Sequence, residues 1–161
     1  MAAPPRRIVL ASDHAGVEMK RRLREALGEM GVEAEDLGPE TPESVDYPDF
    51  AASVAERVAR GTADAGVLVC GTGLGMAISA NKVTGVRAAV LYDDATARLA
   101  RQHNDANVAV FGARTMSPDD AVRRLRIFLS ERFEGGRHRG RLDKIRDIER
   151  KNSTGHGTDP A

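Results

Sequence analysis

The sequence predicts an α/β protein in which five short parallel strands form one sheet with helices on both faces. Short apolar runs alternate along the chain with longer segments whose apolar residues recur every three or four positions. A chain that alternates strands with helices builds right-handed crossovers, and these place its strands parallel in one sheet. Such sheets bind ligands beyond the carboxyl ends of their strands, near the point where the strand order reverses.

The first half of the chain contains three predicted strands and two predicted helices. In chain order they cover residues 8–11 (strand), 17–30 (helix), 32–37 (strand), 48–60 (helix) and 65–70 (strand). Gly31 and Gly61 supply the two helix stops, and Pro48 is a favoured first-turn residue. Three prolines mark residues 38–48 as a loop.

The second half continues the alternation and adds a helix at its end. It comprises residues 76–80 (helix), 86–91 (strand), 94–103 (helix), 108–111 (strand), 121–133 (helix) and 139–151 (an extra C-terminal helix). Asp93 or Asp94 is the expected N-cap of the helix that reaches about His103, and Ser117 with Pro118 forms a strong start signal for the next helix. We expect residues 1–151 to form a single domain and residues 152–161 to be a disordered tail.

Composition restricts the function to a few classes. The chain has 161 residues, of which 41% are hydrophobic and 30% charged, and its 24 basic and 24 acidic residues balance. Such a chain is typical of one globular domain and gives no reason to expect nucleic-acid or membrane binding. The residues before the first strand lack the apolar core of a signal peptide, so we expect a cytoplasmic protein. One cysteine excludes an internal disulfide, and four dispersed histidines form no metal-binding motif.

The segment VLVCGTGLGMAISA, residues 67–80, is the centre of the functional prediction. A buried strand leads through Gly71, Gly73 and Gly75 into a helix, which leaves backbone N–H groups available to bind an anion at the helix N-terminus. The only cysteine, Cys70, ends the strand beside these donors, where an electropositive setting would favour its thiolate. A base and an oxyanion site would then be neighbours.

Each of these features also has a plainer interpretation. The glycines could serve only a tight turn, and Cys70 could be a small buried hydrophobe. Asp93 lies 22 residues after Gly71, where a dinucleotide site places its ribose-binding acid, but Met76 occupies the position of the third glycine. Side chains near predicted helix ends could be simple caps or a solvated basic patch, and these are Asp13, His14, His103, Asn104, Arg137 and Arg141. We expect residues 12–14, residues 70–75 and Asp93 to share one edge of the sheet.

Six motifs in order carry a resemblance to a known family. They are ASDHAGVEMK (11–20), DYPDFA (46–51), CGTGLGMAISANK (70–82), RQHNDANV (101–108), FGAR (111–114) and EGGRHRGR (134–141). The sequence resembles ribose-5-phosphate isomerase B, whose group also holds the galactose-6-phosphate isomerase subunits. The resemblance implies a Rossmann-like three-layer α/β/α sandwich and an aldose–ketose isomerase without metal or cofactor. Its reaction would interconvert D-ribose 5-phosphate and D-ribulose 5-phosphate through an enediolate.

The resemblance also implies a catalytic role for several residues. Cys70 matches the general base that moves a proton between C2 and C1 of the sugar. Thr72 and the amides of the three loop glycines match the anion hole. His103 and Asp13 match the acid and the base that open the sugar ring. A branch of the family lacks the cysteine and carries Glu where Met76 stands, so this chain resembles the thiol branch.

The remaining matches concern substrate binding and assembly. His14, Arg137 and Arg141 match the phosphate ligands, and Asn104 and Arg114 match further substrate contacts. In the family the His103–Asn104 pair comes from the neighbouring subunit. The resemblance therefore implies a homodimer with sites shared across its interface, and it leaves open whether dimers pair into tetramers. Two alternatives stay open: an isomerase of a six-carbon sugar phosphate such as allose or galactose 6-phosphate, and a sugar-phosphate sensor without turnover.

Overall fold

The computed structural model describes residues 7–153 and contains a five-stranded parallel sheet in the order β2-β1-β3-β5-β4. The strands are β1 (Arg7–Ser12), β2 (Glu33–Asp36), β3 (Ala65–Cys70), β4 (Ala88–Val90) and β5 (Val108–Gly112). The helices are α1 (Val17–Glu29), α2 (Tyr47–Ala59), α3 (Leu74–Ala80), α4 (Asp94–Gln102), α5 (Pro118–Ser130) and α6 (Arg137–Ser153). A single 3-10 turn, His14–Gly16, precedes α1. The predicted α/β fold is confirmed, with every strand and helix in its predicted order.

Helix ends differ from the prediction where the backbone overrides periodicity. Helix α3 begins at Leu74 instead of Met76, because Gly73 takes a left-handed conformation (φ +83°) at its N-cap. Helix α5 stops at Ser130, since Glu131 is already extended. Helix α6 begins two residues early, directly after Gly135 and Gly136 at positive φ, and continues through Ser153. The predicted disordered tail therefore loses residues 152–153 to α6, and its residues 154–161 lie outside the described part of the chain.

Alternating side chains of the central strand face two separate cores. Val67 and Val69 pack on the side covered by α1, α4 and α5, where the large buried side chains include Leu23, Phe111, Leu125 and Phe128. Leu68 and Cys70 pack on the side covered by α2 and α3, with Val54 and Met76. This is the three-layer arrangement, because a parallel sheet buried on both faces needs helices on each side.

The strand order reverses between β1 and β3. Strand β1 pairs with β2 on one side and with β3 on the other, so the chain proceeds to opposite sides of the sheet from this point. The carboxyl ends of β1 and β3 are Ser12 and Cys70. A doubly wound sheet binds its ligand at such a reversal, which places the expected site at these two strand ends.

A buried ion pair fixes the loop that follows β2. The Lys20 side chain of α1 is only 2% exposed, and its Nζ lies 2.8 Å from Asp36 Oδ1 at the end of β2. The same Nζ donates to the carbonyl of Pro39, and Asp36 accepts from the Gly38 amide. Helix α1, strand β2 and the start of the loop are thereby held together.

Within residues 7–153, no helix is both long and apolar enough to cross a membrane.

Candidate active site

The sulfur of Cys70 lies against the glycine loop. Sγ accepts a hydrogen bond from the Gly73 amide at 3.2 Å, and the residue is 4% exposed. Cys70 also contributes to the core on the α2 and α3 side, so burial and contact with the loop occur together. A thiolate at this position would receive an N–H donor directly, and charge-assisted hydrogen bonds of this kind are the stronger ones.

Two glycines of the loop are required by backbone shape and by close packing. Gly73 has φ +83°, a conformation that L side chains rarely adopt. A Cβ on Gly75 would stand 2.7 Å from the ring of Tyr47, the first residue of α2. The loop therefore packs closely against the start of α2. Within the loop, Thr72 Oγ1 accepts from the Leu74 amide at 3.3 Å.

Asp13 and His14 directly follow the carboxyl end of β1, next to the end of β3, and have structural partners of their own. The Asp13 amide donates to the carbonyl of Val69, the residue before Cys70, at 3.0 Å. One carboxylate oxygen of Asp13 accepts from the Ala15 and Gly16 amides, which makes it the N-cap of the 3-10 turn. His14 Nδ1 accepts from the Val45 amide at 3.3 Å, so the ring proton of a neutral His14 lies on Nε2.

Arg114 joins the same group from the end of β5. Its amide donates to the carbonyl of Gly71 at 2.8 Å, and its Nη1 lies 3.0 Å from where a Cβ on Gly71 would stand. We name the assembled residues the carboxyl-edge cluster, and its members are Asp13, His14, Cys70, Gly71, Thr72, Gly73, Gly75 and Arg114. All eight are candidates from the sequence.

A second cluster gathers at the end of α4 and the start of α6. The rings of His103 and His138 stack with centroids 4.1 Å apart and planes 14° apart. Glu134 Oε2 lies 3.8 Å from His103 Nε2 and 3.7 Å from His138 Nε2. Burial lowers the pKa of His138, and the nearby His103, Arg137 and Arg141 lower it further. We name the amino-edge cluster as His103, Asn104, Glu134, Arg137, His138 and Arg141.

The two clusters lie at opposite ends of the parallel strands: the carboxyl-edge cluster at the carboxyl ends and the amino-edge cluster at the amino ends. Helix α4 begins near the carboxyl end of β4 and ends near the amino end of that strand. There Arg87 Nε, just before β4, donates to the carbonyl of Asn104 at 2.9 Å. Cys70 pairs with Gly112 at the far end of β5, while Ala88 of β4 pairs with Val108 at its beginning. Four residue steps along β5 separate these pairs, which corresponds to about 13 Å. One chain alone does not bring His103 to its own Cys70.

Comparison with known proteins identifies the family of this chain. A model of the ribose/galactose isomerase family matches residues 8–145. The chain belongs to this family. Ribose-5-phosphate isomerase B of Escherichia coli is 42% identical over 146 residues, which cover 91% of this chain and 98% of that protein. The resemblance predicted from the sequence motifs is confirmed.

Solved structures of relatives agree over nearly their whole length. Ribose-5-phosphate isomerase B of Clostridium thermocellum matches with a TM-score of 0.90 and 46% identity, covering 91% of this chain and 99% of that one. The Mycoplasma genitalium ribose-5-phosphate isomerase B, solved with bound ribulose-5-phosphate, matches with a TM-score of 0.87 and 42% identity. It covers 90% of this chain and 97% of that one. The predicted Rossmann-like arrangement therefore holds for this family member.

One group of side chains in the described part of this isomerase-family chain meets the distance requirement for a metal ion. It consists of His103, Glu134 and His138, whose ligand atoms lie within 4.8 Å of one another. The two imidazole planes are nearly parallel, so their nitrogen lone pairs run side by side instead of converging on one point. The cluster in this conformation fits a carboxylate beside two stacked imidazoles better than a metal centre.

The dinucleotide interpretation receives no support from Asp93. Its carboxylate accepts from the Thr96 amide at 2.7 Å, and the Thr96 hydroxyl accepts from the Asp93 amide, a complete capping box for α4. The hydrogen bonds from Thr96 lower the pKa of Asp93. Its side chain therefore serves the helix start.

Sequence reasoning missed the contribution of three residues. Glu134 and His138 lie within the quoted EGGRHRGR motif, but no spacing along the chain links either to His103, more than thirty positions earlier. Tyr47 lies in the DYPDFA motif and packs on Gly75 across the α2–α3 contact. Only the tertiary fold brings these residues to the candidate site residues.

Proposed function

We propose that the protein interconverts D-ribose 5-phosphate and D-ribulose 5-phosphate, with Cys70 as the general base. The observation that carries the proposal is the 3.2 Å hydrogen bond between Cys70 Sγ and the Gly73 amide, at the sheet edge where the strand order reverses. In this hydrogen bond a candidate proton acceptor lies beside an N–H donor of the glycine loop. Family membership supplies the reaction class, because the relatives described above are named ribose-5-phosphate isomerase B.

The isomerisation needs one base that serves two carbons in turn. The Cys70 thiolate removes the proton from C2 of the open aldose, and the C2–H electron pair forms the C1–C2 double bond while the carbonyl electrons move to O1. Amide donors of the glycine loop, with Thr72, stabilise this enediolate oxygen; one well-placed donor is worth about 3 kcal/mol. The Cys70 thiol then returns its proton to C1, while the proton of the O2 hydroxyl passes to O1 and the C2 ketone forms.

Ring opening and phosphate binding use the remaining candidates. The cyclic sugar must open before C2 becomes acidic, and we assign His103 as the acid toward the ring oxygen and Asp13 as the base toward the anomeric hydroxyl. Arg137 and Arg141 lie four residues apart at the start of α6, so both guanidinium groups can reach one phosphate. His14 completes the proposed phosphate ligands, and Asn104 and Arg114 are the proposed further substrate contacts.

The separation of the two clusters supports a homodimer. Cys70 and His103 lie at opposite edges of one sheet, so each site needs the amino-edge cluster of a second copy. Large apolar side chains are also exposed beside the edge strand β4, and these are Leu74 and Ile78 of α3 and Tyr92 after β4. Exposed apolar surface of this kind marks association sites. Pairing of dimers into tetramers and a location in the cytoplasm stay predictions from the sequence.

Turnover of ribose 5-phosphate by the purified protein tests the reaction. We expect wild-type turnover and its loss in Cys70→Ala, with Cys70→Ser retaining at most a trace. Binding of ribose 5-phosphate without turnover by the wild type would leave the sensor as the remaining interpretation. Equal activity of Cys70→Ala and wild type would refute the role of the sulfur.

Mixing two inactive variants tests the shared site. A dimer of one Cys70→Ala chain and one His103→Asn chain has one site with both lesions and one intact site. Random mixing makes half of the dimers mixed, so we expect about a quarter of wild-type activity to return. Each variant alone should stay inactive. No recovery in a mixture shown by mass spectrometry to contain mixed dimers would refute sharing between subunits.

The family description also names galactose, so a six-carbon sugar phosphate is the second candidate substrate. Comparison of kcat/KM for ribose, allose and galactose phosphates on the same preparation decides between them. A higher value for a six-carbon substrate would replace the pentose in the proposal and leave the Cys70 chemistry unchanged.

A further inference from the structure

His138 is buried against His103, and the proposed reaction gives it no task. Its side chain is 5% exposed, compared with 34% for that of His103, and the two rings stack at 4.1 Å. Helix α6 has only two buried residues, His138 and Leu142. A polar ring that occupies one of these two positions, face to face with a candidate catalytic acid, calls for an explanation.

The stacking restricts how the His103 ring can turn. His103 follows the last residue of α4, and its amide donates to the Leu99 carbonyl at 2.9 Å, which fixes its backbone. Its side chain has one flat neighbour, His138, and one polar neighbour at 3.8 Å, Glu134. A quarter-turn of the ring about its Cβ–Cγ bond would break the parallel contact, so the stack holds the ring plane. Within that plane, Glu134 Oε2 faces Nε2 at 3.8 Å.

The environment of His138 favours a neutral imidazole ring. Desolvation, followed by the charges of His103, Arg137 and Arg141, lowers the pKa of His138 and outweighs the opposing effect of the Glu134 carboxylate, so the uncharged form is favoured. Two stacked imidazolium rings would repel each other, whereas a neutral His138 can remain in contact when His103 carries the proton that ring opening requires.

We propose that His138 is a positioning residue for ring opening: its ring stacks on His103 and holds that imidazole in the orientation needed to protonate the ring oxygen of the sugar. The inference rests on the proposed function, since it deepens the role of His103. It differs from a packing role in one respect. Loss of a positioning ring slows the ring opening that His103 performs and leaves the rate of proton transfer by Cys70 unchanged.

Two measurements separate these steps. Net conversion of ribose 5-phosphate includes ring opening, because the aldose is supplied as a ring. Exchange of deuterium from D2O into C1 of ribulose 5-phosphate needs only the Cys70 proton transfer, because a ketopentose phosphorylated at C5 is already open. NMR follows both reactions on one protein preparation.

We expect His138→Ala to lower conversion of ribose 5-phosphate by roughly ten- to a hundredfold, the range for a reacting group displaced by about 1 Å. Deuterium exchange should stay within about threefold of wild type, and this retained exchange also shows that the variant is folded and assembled. His138→Phe restores a flat ring and should return conversion to within about threefold of wild type.

Leu142→Ala provides the matched control. Leu142 is the other buried residue of α6, one helical turn further along, so its truncation loosens the helix without removing the stack. It should not separate the two rates. Three results would each overturn the inference. The first is an equal fall of conversion and exchange in His138→Ala, and the second is a fall of conversion alone in Leu142→Ala as large as that in His138→Ala. The third is no recovery of conversion in His138→Phe. If the wild type catalyses neither reaction, the proposed function has failed instead.

Discussion

Replacement of Gly73 by alanine tests the geometry that supports the whole site. Gly73 has φ +83°, and a Cβ there would stand 3.3 Å from the backbone of Phe111 and from Val90 Cγ1. The left-handed conformation costs a residue with a Cβ about 1–2 kcal/mol. A domain of this size loses about 2–4 °C of melting temperature per kcal/mol, so we expect Gly73→Ala to melt about 2–8 °C lower.

Activity should fall further than stability in this variant. The Gly73 amide is the donor to Cys70 Sγ, so any shift of the loop that relieves the strain also moves the sulfur. A displacement of about 1 Å can lower turnover by roughly a hundredfold. The assays are differential scanning fluorimetry and turnover of ribose 5-phosphate at saturating substrate.

Gly28→Ala is the control with the opposite sign. Gly28 lies in α1, and nothing stands within 4 Å of a Cβ added there. Alanine in place of a helical glycine should raise the free energy of unfolding by about 0.5–1 kcal/mol and leave turnover unchanged. If Gly73→Ala melts at the wild-type temperature and keeps full turnover, the left-handed turn does not hold the sulfur in place and the site model is wrong.

Three other predictions follow from the structure. Cys70→Ala should lower turnover by roughly 10²–10⁴-fold, the usual contribution of a general base, without a change in far-UV circular dichroism; a smaller loss would point to another base. Lys20→Met should lower the free energy of unfolding, measured by urea denaturation, by about 3 kcal/mol, because it leaves the nearly buried Asp36 without its 2.8 Å partner. The control Arg21→Met, on the exposed face of α1, should change that free energy by less than about 0.5 kcal/mol. Because the pKa of His138 is lowered in the folded state, protonation favours unfolding, and its contribution should be complete above about pH 6.5 and be lost progressively below that value. The loss of stability between pH 7.5 and pH 5.5 should therefore be smaller in His138→Phe than in the wild type, and an equal loss would contradict the assignment.

Periodicity predicted the order of elements because burial on both faces of the sheet fixes the apolar pattern of the three inner strands, β1, β3 and β5. Residues 65–70 are an uninterrupted buried run, as a central parallel strand requires. Helix ends were less predictable, since local backbone geometry decides them. The start of α6 depends on two successive glycines at positive φ, and the pattern of apolar residues does not predict that backbone conformation.

The candidate site divides in the same way. Residues that end a strand or follow it directly, such as Cys70 and Asp13, could be assigned to one end of the sheet from chain order alone. The stack of His103 on His138 depends on how α4 and α6 meet, which local sequence does not encode. Two plain interpretations proved partly right, because Asp13 does cap a turn and Cys70 does pack in a core. Both residues still lie at the carboxyl ends of neighbouring strands, and Cys70 also accepts from the Gly73 amide.

The Lys20–Asp36 pair has a consequence for substrate size. It anchors the first residues of the loop after β2, while the Val45 amide near the other end of that loop donates to His14, a proposed phosphate ligand. The residues between these two points, 40–44, are all exposed. Lengthening or shortening this stretch would move the Val45 amide that orients the His14 ring and leave both packed cores intact, so redesign toward a longer sugar could begin there.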